Sequence, residues 1–170
     1  MPGRFTLRPL LPSDFPAVRT LMNQGRLHQQ ALGFTQWLEG YPSDEVLESD
    51  LQRRRGFLIM CDGVEAGYAV IDTQGDAEYD RLAHIWQLSG PYAVVHRFVL
   101  ADFLRGKGEG RHVLGTIENL IKEQGIDVVR FDTGVANKPM QRLLEGAGYK
   151  NLGEFTFVWG PRLAYEKKLD

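Results

Sequence analysis

An almost unbroken apolar run, Tyr92–Leu100, is interrupted only by His96 and Arg97 and leads to Arg105-Gly106-Lys107-Gly108-Glu109-Gly110-Arg111-His112, after which a helical pattern begins. No other feature constrains the fold as strongly. A strand this apolar is buried on both faces, so it belongs in the middle of a sheet with helices packed over it. Three glycines at alternate positions, with basic residues between and around them, leave several backbone N–H groups free to point at one spot. A strand that ends in such a loop and turns into a helix N-terminus is a ready site for phosphate. The stretch predicts a diphosphate cradle at the end of a central strand.

The 170 residues make one domain, 1–170, with room for a sizeable core. With 43% hydrophobic and 25% charged residues, the composition is that of an ordinary globular protein and excludes a disordered or fibrous chain. A formal net charge of -2 leaves no basic excess to neutralise a phosphate backbone, so no nucleic-acid partner is expected. The single cysteine, Cys61, rules out an intrachain disulfide and suits a reducing compartment. The opening Met-Pro-Gly-Arg-Phe-Thr has no apolar run of the signal-peptide kind, and no window approaches a membrane span. The expected location is the cytoplasm, with no membrane partner.

Alternation over Arg4–Arg8 predicts a first strand, broken by Pro9 and Pro12, and Ser13 or Asp14 then caps a helix with Phe15, Val18, Leu21 and Met22 on one face. From Gln24 to Tyr41 bulky residues alternate with Gly25, Gly33 and Gly40, and no regular pattern holds. Pro42-Ser43-Asp44-Glu45 starts a second helix carrying Val46, Leu47 and Leu51, whose Arg53-Arg54-Arg55 end reads as solvated and matched to the helix dipole. Two apolar segments around Asp62-Gly63 predict a hairpin, and Thr73–Ser89 stays unassigned. After the glycine loop, Val113, Leu114, Ile117, Leu120 and Ile121 recur at helical spacing up to Gly125. A strand at Asp127–Thr133, a helix capped by Asn137 with Met140, Leu143 and Leu144 facing inward, and a strand pair around Gly160-Pro161 complete the chain. The order β-α-α-β-β-β-α-β-α-β-β predicts an α/β fold with a mixed sheet and helices on its faces.

Two common phosphate motifs fail. The dinucleotide fingerprint needs glycine where Arg111 stands and an early βαβ unit, and the P-loop needs Ser or Thr where Gly108 stands. What fits is Arg-x-x-Gly-x-Gly between a strand and a helix. Here the chain resembles the GNAT superfamily of acyl-CoA-dependent N-acetyltransferases, because Arg105–Gly110 matches that family's coenzyme A diphosphate loop. The segment from Asn137 to Tyr149 looks like the family's second motif, an asparagine, a helix and a Gly-aromatic start to the next strand. More weakly, Gln36-Trp37-Leu38-Glu39-Gly40-Tyr41-Pro42-Ser43 and His96-Arg97 resemble a bacterial subgroup. The resemblance implies a mixed, mostly antiparallel sheet flanked by helices.

It further implies that backbone N–H groups from Gly106 through Lys107, Gly108, Glu109 and Gly110 to Arg111 hold the diphosphate of acetyl-CoA, the acyl donor. Leu100 takes a pantetheine amide, the Phe98 N–H sits near the thioester oxygen, and Asn137 reaches the pantetheine arm. A donor aimed at the developing oxyanion stabilises the tetrahedral transition state. The asparagine equally reads as a plain helix N-cap, and both can hold. Transfer needs a neutral amine, and the carboxylate that many members place on the central strand corresponds to Val94. His96, two residues on and so on the same face, is the candidate base, with an ordinary pKa of about 6.5 suited to collecting the amine proton. A histidine in an apolar strand also serves as an ordinary core residue. The family's acid tyrosine falls on Leu144, a departure that leaves Tyr92, Tyr149 and Tyr165 as tyrosines to consider. Asp132 is a candidate for orienting the acceptor, and His84 and Trp86 for lining its pocket. Glu78, Asp80 and Asp72 hint at a cationic acceptor, though scattered acids are usually just solvated.

No histidine or cysteine pair has zinc-ligand spacing, so no metal is expected. The expected activity is N-acetyl transfer to a primary amine of a small molecule or peptide, and a homodimer is left open. The alternatives are an acyl-CoA-binding sensor that lost turnover, which Leu144 motivates, and a nucleotide-binding protein, which the failed fingerprints disfavour.

Overall fold

Strands and helices follow the predicted order β-α-α-β-β-β-α-β-α-β-β, with one short helix added between the third and fourth strands. A computed structural model describes residues 3–170, so Met1 and Pro2 of the N-terminal stretch read above lie outside the described residues. The elements are β1 (Phe5–Pro9), α1 (Phe15–Ala31), α2 (Asp44–Gln52), β2 (Gly56–Cys61), β3 (Val64–Asp72), α3 (Ala77–Arg81), β4 (Tyr92–Leu100), α4 (Gly110–Glu123), β5 (Val128–Gly134), α5 (Lys138–Gly146), β6 (Lys150–Phe157) and β7 (Gly160–Lys168). The strands form one seven-stranded sheet, ordered β1-β2-β3-β4-β5-β7-β6 and flanked by helices. Its pairing is mostly antiparallel, with β4 and β5 parallel. Among the described residues no helix is long and apolar enough to cross a membrane.

Packing divides the chain into two compact units: the chain through Ile71 with His96–Thr116, and Asp72–Val95 with Ile117–Asp170. Strand β4 supplies its first four residues to the second unit and the rest to the first. In the first unit, β1, β2 and β3 form an antiparallel meander. The hairpin between β2 and β3 turns at Asp62 and Gly63, both with positive φ (49° and 82°), the type I′ geometry that Asp-Gly favours. Helix α1 runs to Ala31, straight through Gly25, where the sequence pattern broke. A β-carbon at residue 25 would stand 2.7 Å from Val99 and 2.8 Å from Trp37, so the glycine is what lets α1 approach them. The apolar residues foreseen on α1, Phe15, Val18, Leu21 and Met22, pack with Leu47, Leu58, Tyr68, Val70 and Val99 in one core. Helix α2 begins where Ser43 caps it, its side chain accepting from the Val46 N–H at 3.3 Å.

In the second unit, β5 pairs with β4 over Tyr92–Val128, Ala93–Val129 and Val94–Arg130, and antiparallel with β7 along its whole length. The unassigned stretch 73–89 holds α3, capped by Asp76, whose side chain accepts from the Glu78 and Tyr79 N–H groups. Five residues are too short for an apolar period to register. The last hairpin turns at Val158-Trp159, between the paired residues Phe157 and Gly160, rather than at Gly160-Pro161. Pro161 lies near the start of β7, opposite Thr156 of β6, and the pairing with β5 begins only at Arg162, so its missing N–H costs no bond to β5.

Candidate functional site

The predicted phosphate cradle lies at the end of β4 and opens on α4. Gly106 and Gly108 have φ of 75° and 72°, a conformation that side chains disfavour, and Gly110 is the first residue of α4. The Val113 N–H is bonded to the Glu109 carbonyl at 3.1 Å. The N–H groups before it in the first turn have no partner in the helix's own ladder and point out of its N-terminus. These are the donors an anion needs, and they gain from the helix dipole.

The loop's side chains divide their work. Lys107 and Arg111 are exposed, whereas Arg105 folds back to donate to the Leu100 carbonyl at 2.7 Å and to pair with Asp102. Glu109 would repel a phosphate, but it is tied to Arg4 and lies 3.0 Å from His112 Nδ1. The hydrogen bond with His112 holds its carboxyl below the ordinary carboxylate value, and Arg4 acts the same way against the opposing effect of burial. Behind the loop, the Gln24 side chain accepts from the Asp102 N–H at 3.1 Å, joining α1 to the cradle. Burial and the nearby Arg105 lower the pKa of His28 on the same helix, favouring its neutral form.

The strand that leads into the loop is distorted. Arg97 has φ of 48°, in the left-handed region that costs a non-glycine residue about 1–2 kcal/mol. His96 precedes the distortion, so its face is still that of Val94, and Phe98 follows it. His96 and Phe98 are half-buried, and Val94 is fully buried. Leu100 ends the strand, and the next residue's N–H, of Ala101, donates to the Ala66 carbonyl at 2.8 Å. Thus His96, Phe98, Leu100 and the segment from Arg105 to Arg111 are brought into one unit.

Sequence reasoning missed what surrounds Arg97. Its guanidinium donates through Nε to one oxygen of Asp50 at 3.2 Å, through a terminal nitrogen to the other oxygen, and to the Tyr41 hydroxyl at 2.9 Å. Asp50 is completely buried and accepts also from Arg55 Nε at 2.9 Å and from the Tyr68 hydroxyl at 2.8 Å. Arg55 is therefore no solvated helix end; of the basic triplet only Arg53 and Arg54 are exposed. Burial works against the charge of Arg97, yet Tyr41 and Asp50 together raise its pKa above the usual value. The signal was present: Asp50 follows Val46 by four residues and Leu47 by three, an acid on the apolar stripe of α2.

In the second unit, Asn137 caps α5, its side chain accepting from the Met140 N–H at 3.2 Å. Gln141 and Leu144 are the buried residues of that helix, while Met140 and Leu143 are half-buried. Among the tyrosines, Tyr92 donates to Asp80 at 2.6 Å and is pushed up to about 12 by burial and that bond. Tyr149 donates to Glu118 at 2.8 Å, and burial first, then Glu118, raises it well above its ordinary value. Tyr165 is fully buried and pushed up to about 12 by burial first. Asp132 accepts from Tyr79 at 2.6 Å and Trp159 at 2.9 Å and lies 3.5 Å from Arg162, which makes it an anchor for the aromatic cluster. The other acids also have structural partners: Asp72 receives the Gln74 N–H and Glu78 pairs with Arg81. Trp86 stacks on Tyr79 at 4.9 Å, a packing role, and His84 is exposed. Among the described residues no group of three or more His, Cys, Asp or Glu side chains is placed to hold a metal ion.

Residues 24–149 match the family model described as acetyltransferase (GNAT) family. Among solved structures, an acetyltransferase of the GNAT family from Streptococcus agalactiae is 25% identical, covers 98% of this chain and 96% of its own, and superposes with a TM-score of 0.84. The aminoglycoside acetyltransferase AAC(6')-Ib in complex with coenzyme A shares the fold at 19% identity and a TM-score of 0.74, over 96% of this chain and 94% of its own. The same enzyme with coenzyme A and kanamycin gives 19% identity, a TM-score of 0.73 and the same coverage of both chains. A search of curated proteins finds no match.

Proposed function

The chain belongs to the acetyltransferase (GNAT) family, and from that premise we propose that it moves the acetyl group of acetyl-CoA directly to a primary amine of a small molecule or a peptide. The observation that carries this is the left-handed pair Gly106 and Gly108 opening on the N-terminus of α4. Backbone donors from Gly106 to Arg111 bind the diphosphate, with Lys107 and Arg111 adding charge from the surface and Arg105 bracing the loop against Leu100. The coenzyme supplies the acetyl group as an activated thioester. The pantetheine arm lies along Phe98 and Leu100, and the Phe98 N–H faces the thioester oxygen as it gains charge. The whole chain acts as one catalytic domain.

His96 is the base that takes the proton of the incoming ammonium. No acid is needed with equal urgency, because a free thiol has an ordinary pKa of about 8.5 and leaves readily as thiolate near neutral pH. That is consistent with the fully buried Leu144 at the position of the family's tyrosine, and with Tyr92 and Tyr149 each holding a carboxylate. The kanamycin complex of the similar aminoglycoside acetyltransferase supports a small-molecule amine as acceptor. The lone, buried Cys61 supports a reducing, cytoplasmic setting.

The test is release of free thiol from acetyl-CoA across a panel of amines, run beside a thermal-shift titration with coenzyme A. The expected result is amine-dependent thiol release, with His96→Gln depressing the rate at neutral pH more than at high pH. An unchanged pH profile removes His96 from the mechanism. Leu144 favours one second reading, a sensor: coenzyme A then raises the melting temperature while no amine releases thiol. A shift with ATP or NAD and none with coenzyme A overturns both.

A further inference from the structure

We propose that Asp50 and Arg97, steadied by Tyr41, are positioning residues for acetyl transfer: their buried clamp holds the backbone of β4 in the left-handed turn that aims the Phe98 N–H. This rests on the acetyltransferase reading and adds to it the device that shapes the oxyanion donor. The orientation of the peptide group carrying the Phe98 N–H is set by the dihedral angles of Arg97. At φ of 48° that residue leaves the regular strand conformation, and a single residue of this kind re-aims its neighbour. Glycine would adopt this conformation without strain, yet the position holds an arginine.

What holds it there is the side chain. The guanidinium engages both oxygens of Asp50 and the hydroxyl of Tyr41, so its planar fork is fixed at three points. Asp50 is fully buried in the last turn of α2, and Arg55 and Tyr68 fix its remaining acceptor directions. The charge pair is thus mounted on a helix that is itself anchored by Leu47 in the core. A pair serving stability alone would not need a strained backbone at one end.

Glycine separates the two roles. Arg97→Gly loses the clamp but keeps easy access to positive φ, whereas Arg97→Ala loses both. For acetyl transfer to a fixed amine, Arg97→Ala is expected to lower kcat tenfold or more with KM for acetyl-CoA within twofold. Arg97→Gly is expected to keep at least fivefold more kcat than Arg97→Ala. Equal kcat in the two variants, or a loss that lies in KM for acetyl-CoA, overturns the proposal. Where Arg97→Ala fails to fold, Asp50→Asn replaces it, since it keeps the shape and weakens the fork; unchanged kcat there is equally fatal. The Phe98 amide resonance in the folded, unliganded protein decides the matter whatever the turnover. It is expected near its wild-type position in Arg97→Gly and displaced in Arg97→Ala or Asp50→Asn, and any other pattern overturns the clamp. A wild-type chain that releases no thiol with any amine sinks the acetyltransferase reading, while the amide resonance still reports on the clamp.

Discussion

At Gly67 a β-carbon would stand 2.4 Å from the Val99 carbonyl oxygen, so β3 at this point tolerates no side chain. Backbone must shift to accept one. Gly67→Ala is expected to cost about 3 kcal/mol, the upper part of the usual range for overpacking, and to lower the denaturant midpoint measured by chemical unfolding. The same residue-scale logic explains what the sequence hid. Gly67 reads as one more small residue in a strand, and only the approach of β4 shows why it is glycine. Asp50 was visible as an acid on an apolar stripe, but its four donors come from Arg55, Tyr68 and Arg97, up to 47 residues away. Nothing in local spacing brings them together.

Among the elements, the loop from Arg105 to His112 was the most legible, because glycines at alternate positions between a strand and a helix have few other uses. Gly106 and Gly108 face open space, so a larger residue there meets no neighbour and pays only for its φ. Gly108→Val is expected to strain the loop by about 1–3 kcal/mol and to weaken coenzyme A binding about tenfold or more, measured by calorimetric titration. The melting temperature without ligand should fall by about 2–4 °C for each kcal/mol of that strain. Helix α1 was less legible than the loop. Gly25 looked like an interruption, but the helix runs through it, and the residue is glycine because Val99 and Trp37 occupy the space a side chain would need. Helix α3, at five residues, is shorter than two turns and gives periodicity nothing to act on. The turn at Val158-Trp159 was displaced from Gly160-Pro161 because strand pairing, rather than turn-forming residues alone, sets where a hairpin ends.

For the molecule as a whole, the response of stability to pH is read at two partly buried groups, with Glu78 and Glu109, also held below the ordinary carboxylate value, adding to the acid side. Arg8 hydrogen-bonds both oxygens of Asp14 at 2.9 Å and, against burial, holds its carboxyl below the ordinary value, with help from the Leu11 N–H. Because the folded pKa lies below the unfolded value of about 3.9, this contribution is present above that pH and is lost as pH falls through the folded pKa. His28 is shifted down by burial and Arg105, so below about 6.5 the unfolded chain takes up its proton first and stability falls as pH falls. Denaturation measured from pH 8 to pH 3 should therefore show two descents, a shallow one below pH 6.5 and a steeper one at the acid end. His28→Gln should flatten the first, and Asp14→Asn should make the second shallower, leaving the part that Glu78 and Glu109 carry. A wild-type profile without either descent would contradict both assignments. The sequence by itself determined the order of strands and helices apart from α3, the Asp-Gly hairpin, the glycine loop and, through the resemblance, the family and the donor expected there. Each of these is written in neighbouring residues, where period, turn chemistry and glycine freedom act. Only the tertiary structure decided the left-handed Arg97, its clamp on Asp50 and the anchoring of Asp132 by an aromatic cluster. Those depend on charges and backbone brought together from distant parts of the chain, where burial makes an interaction strong that no local pattern announces.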